Sequence, residues 1–364
     1  MAHPYMSTEA NEGLTGNFSM SPSYIDLLID LRRTVMWYYS PTMWRDYVFP
    51  TSLINGFTRQ CYFQQNDIYY TLLIAVFITL IRYAFESCIS TLLISRLNLI
   101  EMNKKKIPES AWKCFLYTFT WSYCFYLVRY RYDYFDQPYL IWDDWSPEML
   151  IPFDIKLLYF VECGFYVHSI YATIFMDLKR KDYLIMLLHH VLTIALISLS
   201  YCTRYHKIGL LVFFMHDITD IFLEATKLMR YIIVRQGGQK YHMWYHASHG
   251  SFGIFVVCWF IFRLYWFPLK VLYSSGVVFV YRALSNGCGL HGLFNSLLWI
   301  LLTLNLYWLY FILKIFYKLV TGSSSDGGDI RESEDEISSS TAYSDSVEEK
   351  KKKKKNKNKK KKNT

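Results

Sequence analysis

The sequence predicts an all-α membrane protein with about seven transmembrane helices and a disordered C-terminal tail. The chain contains 32 Tyr and 26 Phe, and 53% of its residues are hydrophobic, which is unusual for a soluble domain. Several apolar runs reach the length of about 20 residues that a helix needs to cross a bilayer. Residues 1–65 show no cleavable signal-peptide pattern, so we expect the first span to insert the protein.

Seven apolar segments are predicted to span the membrane. The fifth is the least hydrophobic of them, because it carries acidic residues. The predicted spans cover residues 68–97, 111–130, 153–175, 182–201, 208–231, 249–272 and 294–320. Residues 1–65 contain no long apolar run and are predicted to form a luminal or interfacial segment. Residues 66–107 hold the first span and the cytosolic loop after it.

The distribution of basic residues predicts the orientation. Basic clusters at 104–106, 179–181 and 230–240 follow the first, third and fifth spans, so they lie on one side of the membrane. The positive-inside rule makes that side cytosolic. The loop after the second span is rich in acidic residues and is expected on the luminal side. With seven spans, the N-terminus is then luminal and the C-terminus cytosolic.

Two short motifs agree with this orientation. Asn17 begins an Asn-Phe-Ser sequon for N-glycosylation, which is used only on the luminal side. Lys361 and Lys362 occupy the fourth and third positions from the C-terminus, which resembles a retrieval signal of the endoplasmic reticulum. The alternative explanation is that any poly-lysine tail would match that signal by chance. Together these features predict a multi-pass glycoprotein of the endoplasmic-reticulum membrane.

Residues 321–364 form a low-complexity tail that cannot bury a core and is predicted to be disordered. Three serines in the tail precede an acidic residue by three positions, which suits acid-directed kinases, although a solvated spacer explains the same pattern. These candidate phosphorylation sites are Ser323, Ser333 and Ser346. The formal net charge of +9 is also a property of the tail, since eleven lysines lie between Lys350 and Lys362. It does not indicate a nucleic-acid-binding fold.

Ionisable residues at membrane depth are the main indication of function. A charged side chain at the centre of a span costs about 2.5 kcal/mol or more, so such residues normally face a protein interior or a watery cavity. They fall here on two successive spans. The fourth span carries His189, His190 and Thr193, and the fifth carries His216, Asp217, Asp220 and Glu224.

Helical spacing groups these side chains. Asp217, Asp220 and Glu224 share one face of the fifth span, and Glu224 can reach Lys227 three residues further on. On the fourth span, His190 points about 100° away from His189. Because a short loop joins the two spans, we expect them to be antiparallel neighbours. The histidine pair then faces an acidic stripe inside the membrane.

A buried neutral histidine beside a carboxylate is a competent general base, and imidazole can also accept an acyl group. The pattern therefore suits acyl transfer between two lipid-soluble substrates. Hydrogen-bonded packing explains a lone histidine equally well. A proton-coupled transporter would use similar residues, but no inverted repeat or paired broken helices support that alternative.

Metal binding is the other alternative. His242, His246 and His249 have a spacing found in one histidine box of membrane di-iron hydroxylases, but the sequence contains no HxxHH box. The eight cysteines are scattered singly without a CxxC pair, so zinc and redox sites are weakly indicated. No metal site is predicted, and the three histidines are expected at the cytosolic approach to the sixth span.

Two motifs identify a family. The longer one, residues 177–231, resembles the longevity-assurance motif of ceramide synthases and reads DLKRKDYLIMLLHHVLTIALISLSYCTRYHKIGLLVFFMHDITDIFLEATKLMRY. The shorter one, residues 108–113, reads PESAWK and resembles the E-S-x-W-[KR] start of the same family. The resemblance implies a TLC domain over residues 108–320.

The resemblance also implies an activity and a site. Ceramide synthases transfer a fatty acyl group from acyl-coenzyme A to the amine of sphinganine or sphingosine, which gives dihydroceramide or ceramide. His189, His190, Asp217 and Asp220 take the family's essential positions. We expect His189 to be the base or the acyl acceptor, oriented by Asp217 or Asp220. His190 would bind or polarise the thioester carbonyl, and the two roles could be exchanged. His216, Glu224 and Thr193 are expected to support them.

Substrates and partners follow from the same resemblance. Acyl-coenzyme A is expected as a co-substrate, without a bound cofactor, and a homodimer or heterodimer is an open expectation. Lys179, Arg180, Lys181 and Arg235 could attract the phosphates of coenzyme A, although positive-inside anchoring explains the same charges. The alternative function is that of a non-enzymatic TLC-domain protein that binds lipids or assists translocation.

Overall fold

The computed structural model describes residues 19–38, 57–58, 61–92, 94–178, 180–233, 242–283 and 290–321. Within these residues the secondary structure is helical, which confirms the predicted all-α class. The long helices are α1 (Tyr24–Tyr38), α2 (Gln65–Leu92), α3 (Glu101–Phe125), α4 (Phe153–Phe175), α5 (Tyr183–Cys202), α6 (His206–Ile233), α7 (His242–Cys258) and α8 (His291–Val320). Helix α3 continues as a π-helix, Tyr126–Arg131. Helix α7 continues as π-helical segments, Trp259–Leu272 and Ser274–Val278, and ends in a helical turn, Phe279–Arg282.

Five stretches of the described chain are long and apolar enough to cross a membrane. They are Gln65–Arg96, Phe153–Phe175, Tyr183–Cys202, Met243–Arg282 and His291–Val320. The chain is therefore a multi-pass membrane protein. Helices α3 and α6 occupy the other two predicted spans but do not meet the same criterion, because they carry more polar and charged side chains. The count of seven spans stays a prediction.

Helix α6 lies at the centre of the bundle, in contact with α3, α5 and α7. Its apolar side chains are buried against these neighbours, and Leu210, Leu211 and Met215 are completely inaccessible. The acidic residues of α6 therefore meet protein instead of lipid. This packing explains how a helix with three acidic residues can belong to a membrane-embedded fold.

A network of charged side chains joins α2 and α3 to the segment after α4. Arg82 on α2 and Lys113 on α3 both bind Asp177, at 2.6 and 2.7 Å. Lys113 also binds Glu109 at 2.7 Å, and Arg180 approaches Glu109 at 3.5 Å. Burial raises the pKa of the Asp177 carboxyl, but the charges of Lys113 and Arg82 outweigh burial and hold it well below its usual range. The network thus holds Asp177 and Arg180, at the start of the 177–231 motif, against the 108–113 motif on α3.

The start of α6 packs closely against α4 at a glycine. A Cβ atom at Gly209 would lie 1.7 Å from the Tyr159 hydroxyl oxygen. That hydroxyl lies 3.0 Å from the Ser200 Oγ and donates to the His206 carbonyl oxygen at 3.2 Å. Tyr159 is 1% exposed, so its ring has no free space to move into. A side chain at position 209 must therefore displace a buried, hydrogen-bonded tyrosine.

The substitution Gly209→Ala should destabilise the protein by about 1–3 kcal/mol, because overpacking outweighs the gain in helix propensity. Gly253→Ala is the matched control, since nothing lies within 4 Å of a Cβ atom at that position of α7. We expect the control to be neutral or slightly stabilising. The measurement is the thermal midpoint of each variant in detergent. Equal midpoints for the two variants would contradict the packing described here.

Candidate acyl-transfer site

A mostly apolar cavity lies inside the bundle, and it has about 540 Å³ of empty space, part of which is open to the outside. Helices α4, α5, α6 and α8 and the π-helix after α7 contribute its walls. Its polar lining includes Tyr166, His189, Asp217, Asp220 and Arg263. The fourth and fifth predicted spans therefore meet at one cavity, together with three further elements of the fold.

His189 projects into this cavity from α5. Its ring packs edge-on against Trp308 of α8, with ring centroids 5.1 Å apart. The Nδ1 atom of His189 is buried and has no hydrogen-bond partner among the described residues. Thr193 also lines the cavity, and its hydroxyl donates to the His189 carbonyl oxygen at 2.8 Å. The imidazole nitrogen is thus left available for a substrate, while the threonine hydroxyl is occupied by its own helix.

His190 lies on a different side of α5. It is 8% exposed and is not part of the cavity lining. Its ring centroid lies 5.9 Å from that of Tyr166, and the charges of Lys113 and Asp177 act on the ring. The ring therefore faces the charged network at the beginning of α5, and the two adjacent histidines have different surroundings.

Hydrogen bonds hold the His216 ring at both nitrogens. Its Nδ1 atom donates to the Val212 carbonyl oxygen at 2.9 Å. Its Nε2 atom lies 3.2 Å from the side-chain nitrogen of Asn305, which donates to it. The ring also packs edge-on against Phe267 at 5.0 Å. Because both nitrogens are occupied, His216 is suited to a supporting role.

Asp220 is paired with an arginine from the π-helix that follows α7. The Nη2 atom of Arg263 donates to the Asp220 Oδ2 atom at 2.8 Å and to the His216 carbonyl oxygen at 3.1 Å. Its Nη1 atom donates to the Asn305 side-chain oxygen at 3.4 Å, and its guanidinium lies 4.3 Å from the Trp259 ring centroid. The π-helix places Arg263 at this point of the bundle, in keeping with the frequent occurrence of such segments at functional sites.

Asp217 meets a second buried acid. It is 1% exposed, and its carboxyl group interacts with that of Glu162 on α4, which is fully buried. Among the described residues, no donor with hydrogen-bond geometry satisfies either oxygen of Glu162. Glu162 is therefore a partner of the candidate site.

No hydrogen bond joins the rings of His189 and His190 to Asp217 or Asp220 in the described part of the chain. His189 and the two aspartates line one cavity, but Asp220 is bound by Arg263, and Asp217 lies beside the buried Glu162. The orientation of His189 by a carboxylate therefore stays a prediction.

The remaining predicted site residues lie at the end of the bundle where α5 begins, or outside the described residues. Glu224 is 4% exposed and binds Lys227 at 2.6 Å, as its helical spacing predicts. Arg180 approaches Glu109, and Lys181 is exposed beside it. The predicted residues outside the described ranges are Lys179, Arg235, Asn17, Ser323, Ser333 and Ser346.

The described residues contain no group of three or more His, Cys, Asp or Glu that could hold a metal ion. His246 is exposed at the beginning of α7. The Nδ1 atom of His249 lies 2.7 Å from the Tyr245 carbonyl oxygen. The side chain of His242 lies outside the described residues.

Four residues of the site were missed in the sequence analysis: Glu162, Arg263, Asn305 and Trp308. Glu162 and Arg263 are ionisable residues inside the third and sixth predicted spans. The high cost of a charge at membrane depth was the signal that could have identified them. Asn305 and Trp308 carry no charge, and only the tertiary structure brings them to the histidines.

Comparisons with known proteins agree with the motifs. The family model of the TLC domain matches residues 106–314. Ceramide synthase 1 of Mus musculus is 38% identical over 285 residues, which cover 76% of this chain and 79% of the mouse protein. Ceramide synthase 1 of Homo sapiens is 45% identical over 230 residues, 62% of this chain and 64% of the human protein.

A plant relative shows the same similarity. Ceramide synthase LOH2 of Arabidopsis thaliana is 31% identical over 235 residues, which cover 64% of this chain and 75% of the plant protein. These matches confirm the resemblance to ceramide synthases that the two motifs indicate. The chain therefore belongs to the TLC-domain family.

Proposed function

We propose that the protein is an N-acyltransferase of the ceramide synthase type, which transfers a fatty acyl group from acyl-coenzyme A to the amine of a sphingoid base. One observation carries the proposal. An apolar cavity inside the bundle is lined by His189, Asp217 and Asp220, in a chain whose relatives are named ceramide synthases. An apolar cavity with a few convergent polar groups is the usual form of a site for a lipid substrate.

The chemistry is a balanced acyl transfer. The amine nitrogen forms a bond to the thioester carbonyl carbon, the carbon–sulfur bond breaks, and the thiolate of coenzyme A leaves. His189 takes the proton from the amine and returns it to the thiolate, or accepts the acyl group before the amine does. As a base the ring of His189 contacts the amine, and as an acyl acceptor it contacts the thioester carbonyl carbon.

The cavity suggests where each substrate lies. Leu196, Phe213 and Leu298 line it and offer an apolar surface to a fatty acyl chain. The anionic coenzyme A then stays at the end of the bundle that we propose to be cytosolic, near Arg180 and Lys181. Residence in the endoplasmic-reticulum membrane, with a luminal N-terminus and a cytosolic C-terminus, is part of the proposal.

The test is expression of the full chain in cells that lack ceramide synthesis. Sphinganine and a panel of acyl-coenzyme A species of different chain lengths are supplied to their membranes, and N-acylated products are measured by mass spectrometry. We expect dihydroceramide from at least one donor. No product from any donor, with the protein present in the membrane at normal levels, would leave the non-enzymatic lipid-binding function as the better account.

A further inference from the structure

Two cysteines that are far apart in the sequence meet at one end of the bundle. Cys61 precedes α2, and Cys202 is the last residue of α5. Both side chains are partly buried, and the Cys202 thiol is the main influence on the pKa of the Cys61 thiol. The backbone N–H of Tyr62 donates to the Cys202 carbonyl oxygen at 3.0 Å. Backbone pairing of this kind brings the neighbouring Cα atoms into the range that disulfides span.

Several further contacts hold the same two segments together. Tyr201 donates from its hydroxyl to the Asp67 Oδ2 atom at 2.9 Å, and Lys156 binds the other carboxylate oxygen of Asp67 at 2.7 Å. The Arg204 guanidinium lies 5.8 Å from the ring centroids of both Tyr62 and Tyr201. The proximity of the two cysteines is therefore a property of a packed cluster, in which α4 also takes part.

The surroundings of Cys61 favour reaction of its thiol. The Cys202 thiol and the positive charge of Arg204 lower the pKa of Cys61, and they outweigh burial, which raises it. A lowered pKa increases the fraction of thiolate, which is the form that attacks disulfides. In the orientation proposed above, this end of the bundle faces the lumen, where disulfides form and persist.

We propose that Cys61 and Cys202 form a disulfide bond that ties the beginning of α2 to the turn between α5 and α6. The Cys61 thiolate attacks a disulfide of a luminal protein oxidant and displaces one of its sulfurs as a thiolate. The Cys202 thiolate then attacks the Cys61 sulfur and displaces the second. The two thiol protons and two electrons pass to the oxidant, which becomes a dithiol. The bond goes beyond the proposed acyl transfer and rests on the proposed orientation.

The disulfide bond would also affect the candidate site. Helix α5 carries His189, and α6 carries Asp217 and Asp220, so the turn between them sets how the two helices meet. A covalent bond from Cys202 to the chain before α2 restrains that turn. It also closes a long loop of the unfolded chain, which stabilises the folded state.

The test is differential thiol labelling of the full chain. Cells are dissolved in denaturing detergent containing N-ethylmaleimide, so that buried and exposed free thiols are both blocked. The protein is then purified and reduced, and newly exposed thiols receive isotopically heavy N-ethylmaleimide. We expect the heavy label on Cys61 and Cys202 and the light label on Cys88, which is exposed on α2. Under non-reducing conditions, a cross-linked peptide pair containing both cysteines should be found. Light label on Cys61 or Cys202 in most molecules would overturn the proposal.

A second measurement uses a variant. Cys61→Ser should transfer Cys202 from heavy to light label, while Cys88→Ser changes neither residue. A reductant should lower the thermal midpoint of the unmodified protein by several degrees and leave that of Cys61→Ser unchanged. An equal effect of reductant on both proteins would contradict the proposal, and if Cys61→Ser does not fold, labelling of the unmodified chain decides alone. Because none of these readouts is an acyl-transfer rate, failure of the disulfide and failure of the proposed function are distinguishable.

Discussion

Replacement of His189 with alanine should reduce acyl transfer by at least about 100-fold, since general acid–base groups typically contribute a factor of 10² to 10⁴. The reason is geometric. His189 projects into the cavity, and its buried Nδ1 atom has no hydrogen-bond partner in the part of the chain that the structure describes, whereas both nitrogens of His216 are occupied. The measurement is the initial rate of N-acylation with sphinganine and a saturating acyl-coenzyme A, using purified protein.

The matched control for His189→Ala is His246→Ala. His246 is exposed at the beginning of α7 and does not line the cavity, so its variant should retain the rate of the unmodified protein. Both variants should elute from a sizing column as the unmodified protein does, which separates loss of chemistry from loss of fold. Comparable rates for the two variants would show that His189 does not act in the reaction.

Replacement of Arg263 with methionine should lower the free energy of unfolding by about 3–5 kcal/mol, which is the typical cost of breaking a buried ion pair on one side. Arg263 is 4% exposed and binds Asp220, and it also holds the His216 carbonyl and the Asn305 side chain. Methionine fills much of the same volume but leaves the Asp220 carboxylate without a cation. The measurement is the folded fraction in detergent after heating, followed on a sizing column.

The matched control is Arg129→Met. Arg129 pairs with Asp133 and Asp136, but its side chain is 45% exposed, and exposed ion pairs are typically worth about 0–1 kcal/mol. We therefore expect a small shift for the control and a large one for Arg263→Met. A small shift for both would mean that the buried pair with Asp220 does not stabilise the bundle.

Much of the fold follows from local patterns. Apolar runs of sufficient length predict the helices that became α2, α4, α5 and α8, because lipid requires each backbone to satisfy its own hydrogen bonds. The residues at which helices begin and end are predicted less accurately from the sequence. Helix α3 begins at Glu101, before the span predicted at 111–130, because its charged first turns are helical outside the apolar stretch. The π-helix Trp259–Leu272 was not predicted either, and Pro268 is its main local indication.

In the candidate site, too, contacts within one helix could be predicted from the sequence, and contacts between helices could not. Spacing along one helix predicts the contact of Glu224 with Lys227 and the separation of His189 from His190. Contacts between distant helices have no such periodic signal. Arg263 therefore could not be assigned to Asp220 from the sequence, although each is a costly charge in an apolar run. The same limit applies to the two cysteines, which are single in sequence and adjacent in space.

The central claim is that the cavity between α5 and α6 is an acyl-transfer site. Its most direct test is amide formation by the purified full chain with sphinganine and a panel of acyl-coenzyme A donors, with His189→Ala and His246→Ala assayed in parallel. The account predicts an N-acylated product from at least one donor, almost none with His189→Ala, and an unchanged rate with His246→Ala. No product from any donor, or a full rate with His189→Ala, would contradict it.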